Sequence, residues 1–261
     1  MTKLELYLQD ILTEKETKII PENIKKGTTI FDVEGNCDYY EYTEEMPNTS
    51  VSRLFLSRIT KISAPNTTGI TNFNYAFQYM ENLSELSLID TSSATTMRCA
   101  FQYLRKLKNF PAIDTSNVKD TFCMLAFCES LTTLPLLDLS SVTHSWGMCG
   151  GCYNLTEIPQ FDLSSSADTG CMFDDNYKLE TVPVLNISSS LKMEKMFGDC
   201  NNLTEDSLNN ILATLTGATA YIAQGTNMTL AHIGLTQEQA TVCTTLSNYE
   251  AFIAAGWTTG Y

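Results

Sequence analysis

Leucine returns at Leu83, Leu107, Leu131, Leu155, Leu179 and Leu203, every 24 residues without a slip. This interval constrains the fold more than any other property of the chain. A repeated unit of that size cannot bury its own apolar face and must stack on its copies. The rest of each unit keeps the same phase. Three positions on sits an apolar residue (Leu86, Phe110, Leu134, Ile158, Val182), followed by Pro111, Pro135, Pro159 and Pro183, with Ser87 in the first copy. Asp90, Asp114, Asp138, Asp162 and Asn186 come next, each with a serine two residues later. Ile59, Ile62, Asn66 and Ile70 fit the same frame as a weaker first copy, which makes about seven turns, the first degenerate as capping turns tend to be.

The other half of each unit has helical spacing. Met97, Ala100, Phe101, Leu104 and Leu107 fall at i, i+3, i+4, i+7 and i+10, and the same face recurs as Phe73, Ala76, Phe77, Met80, Leu83 and as Met193, Met196, Phe197, Cys200, Leu203. The expectation is a helical turn or two, a short strand and a loop per unit. Stacking would then build a parallel sheet with strands about 4.8 Å apart. The "DTS" and "DLS" loops suit an Asx turn, whose carboxylate accepts nearby backbone N–H groups.

The running text "MFGDCNNLTE" (196–205), "NFPAIDTSNVKD" (109–120) and "MLAFCESLTTLPLLDLSSVT" (124–143) resembles the BspA-type leucine-rich repeats of bacterial surface proteins, over roughly residues 50 to 205. That resemblance implies an α/β fold: a right-handed leucine-rich-repeat solenoid of 24-residue units with a parallel sheet. The expected organisation is an amino-terminal attachment module at 1–46, the solenoid at 47–205 and a helical carboxy-terminal cap at 206–261.

Both ends lie outside the period. Leu4, Leu8, Ile11 and Leu12 share one helical face; a turn or short helix starts at Pro21, stops at Gly27 and leads into the strand "TTIFDV". The text "KIIPENIKKGTTIFDVEGN" resembles a short amino-terminal module of tail and other structural proteins of phages and prophages of Gram-positive bacteria, with Asp32 where a glycine is usual. After Leu203, Thr204 reads as the N-cap of a helix with Leu208, Ile211, Leu212 and Leu215 inward, and Thr236 as a second N-cap opening one or two more helices. The ending "LSNYEAFIAAGWTTGY" also resembles carboxy-terminal pieces of phage and prophage proteins. These helices would cover the last open turn, whose strand edge would otherwise invite aggregation.

Charge narrows the partners. The net charge of −14 argues against nucleic acid, which is met by basic patches, and disfavours anionic lipid. No run of about 18 apolar residues is present, so no membrane insertion is expected. The first residues lack the apolar run and cleavage site of a signal peptide, which predicts reduced thiols for the nine cysteines.

The segment "GMCGGC" (147–152) contains a C-x-x-C, a spacing used by redox dithiols and zinc sites. In frame, its thiols are core substitutes. Cys149 shares its phase with Phe77, Phe101, Leu125, Phe173 and Phe197, and Cys152 shares its phase with Met80, Leu104, Cys128, Asn176 and Cys200. Cysteine at such positions packs as a small hydrophobe. The space left by Cys149 would be filled by Trp146 or Met148. Cys99, Cys123 and Cys171 form a second column. Neighbouring turns would bring Cys128 near Cys152, and Cys99 near Cys123, to about 5 Å, within disulfide range.

No catalytic, metal or cofactor site is expected. The two histidines, His144 in an exposed loop phase and His232, support neither a zinc site nor a triad. Asp90, Asp114, Asp138 and Asp162 offer one carboxylate per unit, against the six to eight oxygens that calcium takes, so turn capping is their expected role.

What remains is surface. The strand positions beside each leucine that point away from the core are Ser84, Glu85, Lys108, Asn109, Thr132, Thr133, Thr156, Glu157, Glu180 and Thr181, which vary in chemistry while the core columns do not. Solenoids commonly bind through such a face. The function expected is a non-enzymatic structural or adhesion protein of a phage or prophage virion. Its amino-terminal module would meet other virion proteins, its solenoid would meet a host-surface protein or glycan, and a homo-oligomer is compatible with both. A BspA-type adhesin on a bacterial surface is the alternative. A glycan-degrading enzyme would need a carboxylate pair, and no such pair is evident outside the repeat phase.

Overall fold

The structure, a computed structural model, describes residues 32–35, 59–63, 67–225 and 227–261. Its strands are β1 (Asp32–Gly35), β2 (Ile59–Ser63) and β3 (Glu85–Leu86), and its helices are α1 (Glu205–Thr216), α2 (Thr219–Ile222), α3 (Gln237–Cys243) and α4 (Tyr249–Ala254). The helical face of Leu4, Leu8, Ile11 and Leu12 and the turn at Pro21 lie outside the described residues.

Successive 24-residue units lie side by side in register. β2 pairs β3 in parallel with Ile62 opposite Leu86, and single parallel bridges continue at Asn109↔Thr133 and Glu157↔Thr181. A second column runs Asn72, Thr96, Asp120, His144, Asp168, Lys192, each bridged in parallel to the next. β1 adds to the first unit antiparallel, with Val33 opposite Ile62, so the sheet order is β1-β2-β3. The strand expected over "TTIFDV" is thus described only at its end, where it continues to Gly35.

The helical half of the unit is corrected by the structure. Residues 67–203 contain no α-helix; the segments with helical spacing are ribbons of consecutive turns. In the first, Ala76 N–H donates to Phe73 O (3.0 Å), Gln78 N–H to Tyr75 O (3.3 Å) and Met80 N–H to Phe77 O (3.3 Å). The alternate donors leave the unit. Phe73, Tyr75, Phe77 and Tyr79 donate to Thr96, Arg98, Ala100 and Gln102 of the next unit, at 2.7 to 3.0 Å. The next unit repeats this toward Asp120, Phe122, Met124 and Ala126. Buried backbone donors need partners, and here half find them within the unit and half across the stack.

This ribbon requires left-handed backbone at fixed places. Tyr75, Cys99, Cys123, Gly147, Cys171 and Lys195 have φ of 50 to 62°, and Tyr79, Tyr103, Phe127, Gly151, Asp175 and Asp199 have φ of 55 to 73°. Each side chain held there costs about 1–2 kcal/mol, and glycine avoids that cost. In "GMCGGC" the first and last glycines, Gly147 and Gly151, occupy these two positions.

The inward columns form one continuous core. Phe77, Phe101, Cys149, Phe173 and Phe197 are buried, as are Leu83, Leu107, Leu131, Leu155 and Leu179. Leu203, last in the leucine column, is half-buried against the core. Met148 is buried beside Cys149, whereas Trp146 packs outside the main core with Cys99, Cys123, Phe122 and Phe127. Of the two residues expected to fill the space at Cys149, only Met148 is placed to do so.

After the period stops, the chain closes the stack. Thr204 caps α1 by accepting from Ser207 N–H, and Leu208, Ile211, Leu212 and Leu215 are buried. Thr236 and Gln239 form a capping box on α3. One polar edge of α1 meets the open backbone of the last unit. Ser207 Oγ accepts from Val182 N–H at 2.9 Å and donates to Glu180 O at 2.7 Å. Asn210 donates to Val182 O at 2.9 Å, and Thr214 Oγ1 accepts from Leu185 N–H at 2.9 Å. On the ribbon side, His232 O and Ile233 O accept from Lys195 and Phe197 N–H at 2.8 and 2.9 Å. Among the described residues no helix is long and apolar enough to cross a membrane.

Candidate binding surfaces

The outward strand positions are assembled as the spacing predicts. Ser84, Glu85, Lys108, Asn109, Thr132, Thr133, Glu157, Glu180 and Thr181 are exposed, and Thr156 is half-buried. Parallel bridges at 24-residue separation join Asn109 to Thr133 and Glu157 to Thr181. The backbone is further tied across units by Thr156 N–H to Thr132 O (3.0 Å) and Glu180 N–H to Thr156 O (2.9 Å). Thr156 also turns its hydroxyl onto Thr132 O at 3.2 Å, which leaves less of it for a partner. Glu85 pairs with Lys61 at 3.2 Å.

The structure adds surfaces that the leucine phase does not announce. Tyr79, Tyr103 and Phe127 stack across three units with ring centroids 4.8 Å apart at each step. Arg98 lies 3.8 Å over Phe122, and Phe122 stacks on Trp146 at 5.1 Å. Tyr153 stacks on Tyr177 at 5.3 Å, and Tyr177 donates to Asp175 at 2.9 Å, which pushes its pKa up to about 12. The signal was present in the sequence, because each stack occupies one 24-residue phase. Leu88, Ala112, Leu136, Gln160 and Val184 make a further exposed column, with Leu88 and Leu136 both 71% exposed.

An open cleft of about 410 Å³ lies where the stack meets the cap, with Trp146, Asp168, Glu194, Tyr221, Gln224 and His232 among its walls. Tyr221 is buried, stacks on Trp257 at 5.5 Å and faces His232 at 6.3 Å. Burial and the nearby Glu194 carboxylate raise its pKa. His144 is exposed in the loop column, bonded to the Thr143 hydroxyl at 3.2 Å.

The thiols do structural work. The cysteines of the described residues are all free. Cys128, Cys152 and Cys200 donate to Phe101 O, Leu125 O and Phe173 O at 3.1 to 3.2 Å, in the preceding unit. Asn176, in the same column, donates to Cys149 O at 3.1 Å. From Cys128 on the column carries buried donors, whereas Met80 and Leu104 fill the same phase in the earlier units. Burial raises the Cys149 thiol well above its ordinary pKa and pushes Cys152 up to about 12, so neither is an activated nucleophile.

The aspartates cap their turns. Ser92, Ser116, Ser140 and Ser164 N–H donate to Asp90, Asp114, Asp138 and Asp162 at 2.9 to 3.1 Å. The serine hydroxyls and N–H groups hold the carboxyls of Asp90, Asp114 and Asp138 below the ordinary range. Elsewhere Asp174, Asp175 and Asp199 place one oxygen each within 4.8 Å of one another. Burial and the neighbouring carboxylates raise Asp174.

No curated protein and no solved structure matches the chain. A family model matches twice in overlapping stretches, over residues 49–157 and 137–229, which together span the repeats and reach into the cap. On those matches the chain belongs to the family described as "Mycoplasma protein of unknown function, DUF285".

Proposed function

We propose that this chain is a non-enzymatic display and adhesion protein of a phage or prophage particle, in which the stacked units form a leucine-rich-repeat solenoid. The amino-terminal module attaches it to other virion proteins, and the strip from Ser84 to Thr181 meets a host-surface protein or glycan. One observation carries the reading: the inward columns stay buried from unit to unit, while the strip changes chemistry at fixed spacing on the outside. Glu85, Lys108, Glu157 and Glu180 sit among hydroxyl and amide side chains on a backbone tied across the stack. A rigid frame with varied outward groups is how solenoid repeats present a binding surface.

A second reading places the same surface on a bacterial cell as a BspA-type adhesin. The family match favours it, since that family is described from a bacterium. Mass spectrometry of purified particles and of proteins shaved from intact cells separates the two locations. Binding of the whole chain to host cells tests the surface: Lys108→Glu and Glu157→Lys should weaken it without lowering the melting temperature. Unchanged binding by both variants would remove the strip from the reading.

A further inference from the structure

The aromatic column Arg98, Phe122, Trp146 stops at Gly170, the same position one unit on. Trp146 is covered on one side by Phe122. On the other, its pyrrole edge overhangs Gly170, where an added Cβ would stand 3.0 Å from Cδ1 and 3.2 Å from Nε1. A side chain at 170 would press on the indole, so glycine lets the backbone pack close to Trp146, which is half-buried and lines the cleft between the last units and the cap. The indole Nε1 lies on that same edge. The Tyr221–His232 pair lines the same cleft.

The polar groups of this cleft are mixed in kind. Asp168 accepts from Gly170 N–H at 3.2 Å and from Lys192 at 3.4 Å, so one carboxylate already has its counter-charge. Glu194 is exposed, and Gln224, also in the lining, donates to Leu191 O at 2.9 Å. The lining thus holds both donors (the Trp146 indole and Lys192) and acceptors (Asp168 and Glu194) beside aromatic rings. A cationic side chain, which only donates, leaves the donors unmatched, and an anionic ligand meets the carboxylates. Hydroxyl groups both donate and accept, and the C–H face of a sugar ring is apolar enough to lie on indole. A volume of about 410 Å³ is near the lower end of small-molecule sites.

We propose that the cleft lined by Trp146 and the Tyr221–His232 pair is a binding site for a neutral hexose unit of a glycan. This goes beyond the display role above, because none of the strip residues lines the cleft, and it holds on a particle or a cell alike.

The chain has two tryptophans: Trp146 lines the cleft, and Trp257 is buried and stacks on Tyr221 of its wall, so a ligand in the cleft should change the emission and Trp146→Phe separates the two contributions. The whole chain is titrated with glucose, galactose, N-acetylglucosamine and N-acetylgalactosamine, with Nα-acetyl-lysine amide as the cationic control. At least one hexose should give a saturable millimolar response. In Glu194→Gln the affinity should fall about tenfold with an unchanged melting temperature. Trp146→Phe, followed by saturation-transfer NMR, should weaken it as well. The proposal is overturned if no hexose saturates, if both variants bind as the parent does, or if the lysine derivative binds in place of the sugars. Lys108→Glu, outside the cleft, should leave the titration intact while it tests adhesion through the strip, so the two readings fail separately.

Discussion

At the scale of single residues, each column in the stack states what its position needs. In one column Cys128, Cys152, Asn176 and Cys200 each donate to the preceding unit, which is why asparagine can replace cysteine there, while Met80 and Leu104 fill the same phase without a donor. Cys152→Ala should cost about 1–2 kcal/mol in urea denaturation, from lost sulfur volume and the lost bond to Leu125 O, and should leave cell binding unchanged. Loss of binding by the folded variant would reverse the structural reading of "GMCGGC". A neighbouring column shows a mismatch. Thr67 and Thr91 donate to Asp90 O and Asp114 O at 2.8 Å, but Thr115 Oγ1 is buried without a partner where the column changes from threonine to Leu139. Thr115→Val keeps the shape and removes the orphan hydroxyl, so it should raise stability by about 1 kcal/mol. A loss of that size would show that the hydroxyl has a partner in solution.

At the scale of elements, the ribbon and the helix present one side-chain pattern with two backbone solutions. Phe73, Ala76, Phe77 and Met80 face inward at i, i+3, i+4 and i+7 in either case, so periodicity could not separate them. Every fourth residue is left-handed, which breaks the i→i−4 ladder and frees alternate N–H groups for the next unit. Glycine or aspartate at 147, 151, 175 and 199 was the available sign, diluted by Tyr75, Tyr79, Cys99 and Tyr103 at the same phases. The cap helices were legible because capping is local: Thr204 and Thr236 need only the next few N–H groups. What α1 does with its polar edge was not legible, since its partners lie about one unit back. Ser207→Ala strands Val182 N–H and should cost about 1–3 kcal/mol by thermal or urea unfolding. A neutral result would mean that water replaces the serine.

At the scale of the whole molecule, the stack repeats one electrostatic device. Asp90, Asp114 and Asp138 have folded pKa values below their ordinary 3.8. Their contribution is therefore full above that pH and is lost as pH falls through the folded values. Asp174 has the opposite sign, because its raised pKa makes its ionised form unfavourable in the fold. The melting temperature should drop below about pH 4. Joint replacement of Asp90, Asp114 and Asp138 by asparagine, which Asn186 shows the turn can accept, should flatten that drop. An unaltered acid limb would assign the pH dependence to other carboxyls. The sequence by itself determined the 24-residue period, the inward columns, the Asx turns, the two threonine caps and the outward strip. These depend on residue type at fixed spacing or on partners a few positions away. Only the tertiary structure decided that the apolar ribbon is not a helix, that thiols donate across units, that aromatics stack into ladders, and that Trp146 shares a cleft with Tyr221 and His232. Each of those depends on which atoms meet across one or more units, and a linear pattern records the spacing of side chains but not the destination of the backbone donors between them.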